Sequence, residues 1–482
     1  MRLPETFIIR TKKLLGDDWA AFEQALNEES PVSIRLNPRK ASLDLLSEYL
    51  PLSEPVPWAT NGYYLSSRPS FTLDPLFHAG CYYVQEASSM ILEHFVRTYF
   101  PNPAKVLDLC AAPGGKSTHL LALLTDESLL VANEVIRSRA NILVENLIKW
   151  GNPNTFVTQN DPMEIGKSLH GFFDVIVADL PCSGEGMFRK DPAALAEWSV
   201  NNVRLCAERQ RRIVADVWQA LKPGGIFIYS TCTYNREENE ENIEWICSEF
   251  DAELPEEPRR LMPHKTKGEG FFIAGIRKLD NRQKMIDNRQ KTIDRRQKTE
   301  DKRSCNLDFS LFSHYLSSPE NFIFISDDSS SPVTRHLSLV TCHPSPVTRH
   351  LSPVTRHSSP VTRHSSPFAI PAIHYSDYLQ IKNSLRVLSA GAPLGEMKGR
   401  DLIPAHGLSM SSALSGSAFP RWEVDRETAI NYLRREVLQN IPPEIPKGYV
   451  LITFKERPLG FVKNIETRAN NLYPQEWRIR KL

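Results

Sequence analysis

Two cysteines end apolar runs that read as neighbouring strands of one sheet. Cys182 lies in DLPCSGEG after the run FDVIVADLP, and Cys232 lies in YSTCTYN at the end of GIFIYSTC. Adjacent strands would bring both thiols to the carboxyl-terminal edge, where open α/β sheets bind their ligands. The other thiols carry less. Cys206 and Cys247 fall inside helical patterns, and Cys81 and Cys110 are expected to be structural, because a free cysteine packs as a small hydrophobe. Acids recur at the strand ends: Glu134 closes LLVANEV, Asp161 ends NTFVTQND and Asp179 closes FDVIVAD. The first strand, KVLDLCA, runs into AAPGGKST and then a helix, so Gly114 and Gly115 let the backbone approach a ligand at a helix N-terminus. Singly, these signals are weak. Glu134 and Asp161 read equally well as helix N-caps, and the turn has neither the GxGxxG of dinucleotide folds nor the GxxxxGKS/T of P-loops. Together they describe a nucleoside-cofactor site. Glu134 would accept the ribose hydroxyls, Asp161 would hold an adenine amino group, and Asp179 would stand at the reacting edge.

A thiol beside such a cofactor suits one difficult reaction. Carbon 5 of a pyrimidine is a poor nucleophile. Attack by a thiolate on carbon 6 turns the ring into an enamine, and covalent catalysis of this kind splits one hard step into two easier ones. An acid near N3 stabilises the developing charge, a role open to Asp179. The carbon 5 proton must then leave before the thiol departs, and a second thiol can assist. Spacing alone does not decide which of Cys182 and Cys232 attacks.

The elements that must position these groups alternate. Five short apolar runs (KVLDLCA, LLVANEV, NTFVTQND, FDVIVADLP and GIFIYSTC) are separated by helical patterns at 116–125, 137–150, 192–221 and 237–249. That order predicts a doubly wound α/β sheet over 96–278. Residues 1–95 mix a helical region at about 4–28 with a hydrophobic stretch through PVSIRLNP, and 368–482 read as a separate small α+β region with the tail GYVLITFKERPLGFVKN. Between them lie two tandem repeats of period seven, DNRQKMI and SPVTRHL with their variants. The first offers only Met285, Ile286 and Ile293 as apolar residues, too few for a coiled-coil seam. The second places a proline in nearly every repeat, which forbids a long helix. Residues 279–367 are therefore expected to be a disordered, low-complexity linker.

Composition sets the outer limits. The 482 residues include 35 prolines and eight cysteines, with no CxxC pair, so neither a disulfide framework nor a zinc site is expected and the metal count is none. No apolar run reaches the roughly 18 residues that span a bilayer, and the N-terminus lacks a secretory core; a cytoplasmic protein with reduced thiols is expected. The net charge of +1 conceals +6 over 277–303 and +4 over 331–367. A local patch, 447–482, carries +5 and is the one charge argument for nucleic acid.

The strings DLCAAPGGKSTHL, NEVIRSRANILVENLIKWG, DLPCSGEGMFRKDP and LKPGGIFIYSTCTYNREENEENI closely resemble those of the Sun-type RNA cytosine-C5 methyltransferases, and PCSGEGMFRK with the C-terminal tail resembles the bacterial branch that acts on 16S ribosomal RNA. The resemblance covers 1–278 and 368–482. It implies a Rossmann-like S-adenosylmethionine-dependent methyltransferase domain between an N-terminal RNA-binding region and a C-terminal PUA-like module, with 16S RNA or the small subunit as partner and no DNA. It also implies residue roles. Cys110, Ala111, Ala112, Pro113, Gly114, Gly115 and Lys116 would form the methionine and ribose loop, Glu134 would bind ribose, Asp161 adenine, and Asp179 both the cofactor edge and the cytosine. The TC-motif cysteine, Cys232, would be the nucleophile and the PC-motif cysteine, Cys182, would promote product release. Other readings compete. Methylation of an exocyclic amine usually needs a DPPY-type clamp where this chain has Asp179-Leu180-Pro181-Cys182. A non-catalytic RNA-binding assembly factor would need neither thiol, and a tRNA substrate would leave the site unchanged.

Overall fold

The computed structural model describes residues 3–280, 310–325, 367–398 and 401–480. Its centre is the expected doubly wound sheet. The strands are β1 (Lys105–Asp108), β2 (Leu129–Asn133), β3 (Thr155–Thr158), β4 (Phe173–Asp179), β5 (Leu221–Thr231), β6 (Phe271–Lys278) and β7 (Val387–Ala390), in the spatial order β6-β5-β4-β1-β2-β3-β7, with the short strand Ala252–Glu253 outside β6. The five from β5 to β3 run parallel; β6 and β7 are antiparallel to their neighbours. The connecting helices include α1 (Gly115–Leu123), α2 (Arg137–Trp150), α3 (Pro162–Ser168), α4 (Val200–Val217) and α5 (Glu240–Glu249). Chain order reverses between β1 and β4, and a crevice at such a switch point is where doubly wound sheets take ligands.

The apolar runs form strands because both faces are covered. Val106, Val131 and Ile228 are fully buried, and successive residues alternate between two cores: Leu107, Val131 and Phe227 on one face, Val106, Leu130 and Ile226 on the other. Helix ends follow local chemistry. Asp161 and Glu164 make a reciprocal capping box at α3, and Gly151 ends α2 in the left-handed conformation.

The flanking regions share a core. The N-terminal helices Glu5–Leu15 and Trp19–Leu26 precede a four-stranded antiparallel sheet, whose Ile34, Leu36 and Tyr82 pack with Val450, Ile452 and Val462 of the C-terminal sheet. All three regions meet at the end of α2. The Lys40 ammonium donates to the carbonyls of Lys149 (2.6 Å) and Ala79 (3.1 Å), and Ser412 N donates to Gly151 O (2.8 Å).

Two boundaries differ from expectation. Within the supposed linker 279–367, residues 310–325 are folded: a helix at Ser310–Ser313 leads to a strand, Phe322–Ile325, that pairs antiparallel with Phe368–Pro371. Phe312, Leu316, Phe324 and Ile325 are buried there. This stretch belongs to neither repeat, and its apolar density was masked by the polar repeats around it. The heptad tracts themselves lie outside the described residues, apart from the edge at Asp280. The second difference is that 368–482 is not wholly separate, because β7 completes the central sheet and Asp377 pairs with Lys105 at 2.6 Å. Among the described residues no helix is long and apolar enough to cross a membrane.

Candidate active site

The two edge thiols meet. Asp179 is the last residue of β4 and lies opposite Ser230 of β5; three residues further on, Cys182 Sγ stands 3.4 Å from Cys232 Sγ. Two loops make this contact, and buried carboxylates fasten them. Glu185, 2% exposed, accepts from Thr233 Oγ1 (2.8 Å), Tyr234 N (2.7 Å), Asn235 N (2.9 Å) and Trp198 Nε1 (3.0 Å). Glu238 accepts from Ser183 N (3.0 Å), Gln210 Nε2 (2.8 Å) and Asn235 Nδ2 (2.8 Å). Gly186 N also donates to Cys232 O at 2.9 Å, and a Cβ at residue 186 would lie only 2.8 Å from that oxygen, so this approach requires glycine.

The thiols are not equivalent. The hydrogen bond to Cys232, and then burial, push the Cys182 thiol well above the ordinary range. The two sulfurs are within hydrogen-bonding distance, and either thiol can be the donor. A cation stands near: burial opposes the charge on Lys116, but Asp179 outweighs it and raises the ammonium, with Asp108 and Cys232 adding to the effect. Lys116 Nζ lies 2.7 Å from Asp179 Oδ2 and 4.9 Å from the centre of the Phe271 ring. Ser230 Oγ donates to the other Asp179 oxygen at 3.0 Å.

The turn after β1 is held from three sides. Ala111 N donates to Asn133 O (2.9 Å), Arg139 reaches Ala112 O (2.8 Å) and Asn146 reaches Pro113 O (2.7 Å). Gly114 caps α1 at φ +113°, a conformation L side chains rarely adopt. Cys110 is half-buried, its thiol pushed up by burial. Glu134 is buried, accepting from Ile136 N (2.9 Å) with Arg139 at 3.5 Å, whereas Asp161 is exposed at the rim and caps α3. The structure thus shows Asp161 in its expected place as the N-cap of α3.

Sequence reasoning passed over Asp108, Glu185 and Glu238. Asp108 is fully buried under the turn; Ser117 Oγ donates to its Oδ2 at 2.6 Å, and its Oδ1 has no hydrogen-bond partner among the described residues. Burial lifts both Asp108 and Glu238 to about 7. A carboxyl raised on folding binds protons more tightly in the native state, so its contribution is present at low pH and is lost as pH climbs through the native value. Stability should therefore decline between pH 4.5 and about 7, by roughly 3 kcal/mol for Glu238 taken alone. Urea unfolding across that range checks this, and Glu238→Gln should flatten the slope.

Three family models match. The 16S rRNA methyltransferase RsmB/F model covers residues 100–277, the N-terminal domain of 16S rRNA methyltransferase RsmF covers 3–87, and the methyltransferase RsmF PUA domain covers 419–479. A methyltransferase homolog protein from Pyrococcus horikoshii superposes with a TM-score of 0.51 at 31% identity, over 57% of this chain and 95% of that one. Residues 100–277 belong to the RsmB/F methyltransferase family. Curated relatives named ribosomal RNA small subunit methyltransferase F include those of Pectobacterium atrosepticum (38% identical, 51% of this chain and 56% of the relative) and Vibrio cholerae (36%, 58% and 64%). The chain thus spans somewhat over half the length of the curated relatives it matches. In RsmB/F terms, the methyltransferase model contains every expected site residue from Cys110 to Cys232, while 278–418 fall outside these three matches and include β7.

Proposed function

We propose that this chain transfers a methyl group from S-adenosylmethionine to carbon 5 of a cytosine in small-subunit ribosomal RNA, acting in the cytoplasm. The observation that carries the reading is the 3.4 Å contact between Cys182 and Cys232 beside the Lys116–Asp179 pair.

The residues around the turn suit the cofactor. Asp108 Oδ1 is a buried carboxylate oxygen lacking a donor, which an ammonium-bearing ligand would supply, and Gly114 leaves the turn without a side chain. Glu134 would take the ribose and Asp161, at the rim, the adenine. When bound, S-adenosylmethionine supplies an electrophilic methyl group. The chain's own groups do the rest. The target base leaves its stack, at a cost of a few kcal/mol. Cys232 gives up its proton to solvent as its Sγ bonds to carbon 6, with Cys182 Sγ beside it at 3.4 Å. Asp179, oriented by Lys116 and Ser230, faces the polar edge of the ring. Once the Cys232 sulfur is bonded to carbon 6, it no longer hydrogen-bonds with Cys182, the first cause of the raised Cys182 thiol. Cys182 gives its own proton to solvent and, as thiolate, takes the carbon 5 proton; the released C–H electron pair forms the C5=C6 bond and Cys232 leaves carbon 6 as thiolate. The Lys447–Leu482 patch and the N-terminal region would hold RNA through its phosphates.

Incubation with labelled S-adenosylmethionine and small ribosomal subunits, followed by bisulfite mapping, should show 5-methylcytosine at a discrete position. Label confined to an exocyclic amine, or no label on any small-subunit RNA, would overturn the reading.

A further inference from the structure

The loops bearing Glu134 and Asp161 are tied together by two asparagines. Asn133 Nδ2 donates to Leu109 O (3.2 Å) and to Asn160 O (3.0 Å), while its Oδ1 accepts from Asn160 N (3.0 Å) and Thr158 Oγ1 (3.0 Å). Each asparagine immediately precedes one of the two acids, so this interlock sets the spacing between the turn after β1, Glu134 and Asp161. Asn160 is itself completed from far away in the chain. Its Nδ2 donates to Glu164 Oε2 (3.1 Å), the oxygen that also accepts from Asp161 N (3.1 Å), and its Oδ1 accepts from Arg386 N at 3.1 Å. Gln159 N returns a hydrogen bond to Arg386 O at 3.0 Å. Arg386 opens β7, whose Val387 lies opposite Thr158 at the end of β3.

Without β7, the end of β3 would be a sheet edge and the Oδ1 of the buried Asn160 would lose its donor, leaving the side chain held by Glu164 alone. A buried amide that loses a partner is freer to swing, and Asp161 is the next residue. We propose that Arg386–Ala390 is a working part of the cofactor site: it holds Asp161 in place through Asn160, so that the chain beyond the repeats sets affinity for the adenosyl group. Asn160 and Arg386 are positioning residues in this scheme; neither needs to touch the cofactor. The inference rests on the reading of Asp161 given above.

The test measures S-adenosylmethionine affinity by calorimetry on the full chain, together with kcat at saturating cofactor, KM for RNA and melting temperature. Asn160→Ala removes the acceptor for Arg386 N. Arg386→Pro removes the donor while keeping the carbonyl, at the start of an edge strand where proline is tolerated. Each should weaken cofactor binding about tenfold, as expected for one buried hydrogen bond, and leave kcat and the RNA KM within about twofold. The double variant should be little worse than either single one, since both break the same link. Should Asn160→Ala not fold, Arg386→Pro reads the same quantity. Unchanged cofactor affinity in a folded variant, additive losses, or a parallel fall in kcat would overturn the proposal. A wild-type chain that binds no S-adenosylmethionine would instead refute the cofactor reading itself.

Discussion

Cys182→Ala is expected to trap RNA on the protein as a denaturant-resistant adduct, and Cys232→Ala is expected to form no adduct and to lose methylation by about 10⁴-fold or more, the scale seen when an enzyme loses its nucleophile. The asymmetry follows from the thiol pair. The hydrogen bond to Cys232 and burial hold the Cys182 thiol well above its ordinary range, which suits it less to attack, and the proposed reaction gives that role to Cys232. With Cys182 gone, attack on carbon 6 and methyl transfer can still occur, but the group placed to remove the carbon 5 proton is missing. The carbon 6–sulfur bond then persists, and a gel run under denaturing conditions shows the protein at the mass of a protein–RNA complex. An adduct formed by Cys232→Ala, and not by Cys182→Ala, would exchange the two roles while preserving the chemistry. Adduct formation by neither variant, with methylation intact in both, would sink covalent catalysis altogether.

Much of this site could be read in advance because its parts are local. FDVIVADLP and GIFIYSTC are short apolar runs, and Asp179, Cys182 and Cys232 fall at or just beyond the ends of the strands they form. Parallel neighbours then bring those ends together. What escaped is what depends on distant partners. An edge strand such as Val387–Ala390 is four residues long, and nothing in its own composition says that it pairs with Thr155–Thr158 more than 200 residues earlier. Residues 310–325 were hidden by the repeats on either side. Asp108, Glu185 and Glu238 were passed over for another reason. A carboxylate in sequence reads as solvated surface, and its burial is decided by donors that come from other loops. Lys116 belongs here too. Its place in the glycine turn suggested a contact with cofactor, but its reach takes it to Asp179 and toward the thiols.

Glu185 is the position where a single substitution should do most damage without touching either sulfur. Glu185→Ala leaves Tyr234 N and Asn235 N, both buried, without an acceptor, and strands the Trp198 indole N–H as well. At about 1–3 kcal/mol for each of the three buried donors left unpaired, the loss is roughly 3–9 kcal/mol, a large share of what holds a domain folded. Glu185→Gln should cost less. Oε2 accepts three of the four hydrogen bonds, and an amide oxygen placed there keeps them, while the amide nitrogen meets only the Trp198 donor. Thermal unfolding should therefore rank wild type above glutamine and glutamine well above alanine. The second effect is on chemistry. Glu185 ties the loop of Cys182 to the residues following Cys232, so loosening it widens a sulfur–sulfur contact of 3.4 Å. Glutamine at this position, folded at assay temperature, should bind S-adenosylmethionine as wild type does yet transfer methyl more slowly, because Glu134 and Asp161, the acids proposed for ribose and adenine, follow other strands and only the thiol pair has lost its alignment. Wild-type turnover in a folded Glu185→Gln, or a cofactor affinity that falls in step with turnover, would show that this carboxylate supports the fold alone and does not align the two sulfurs.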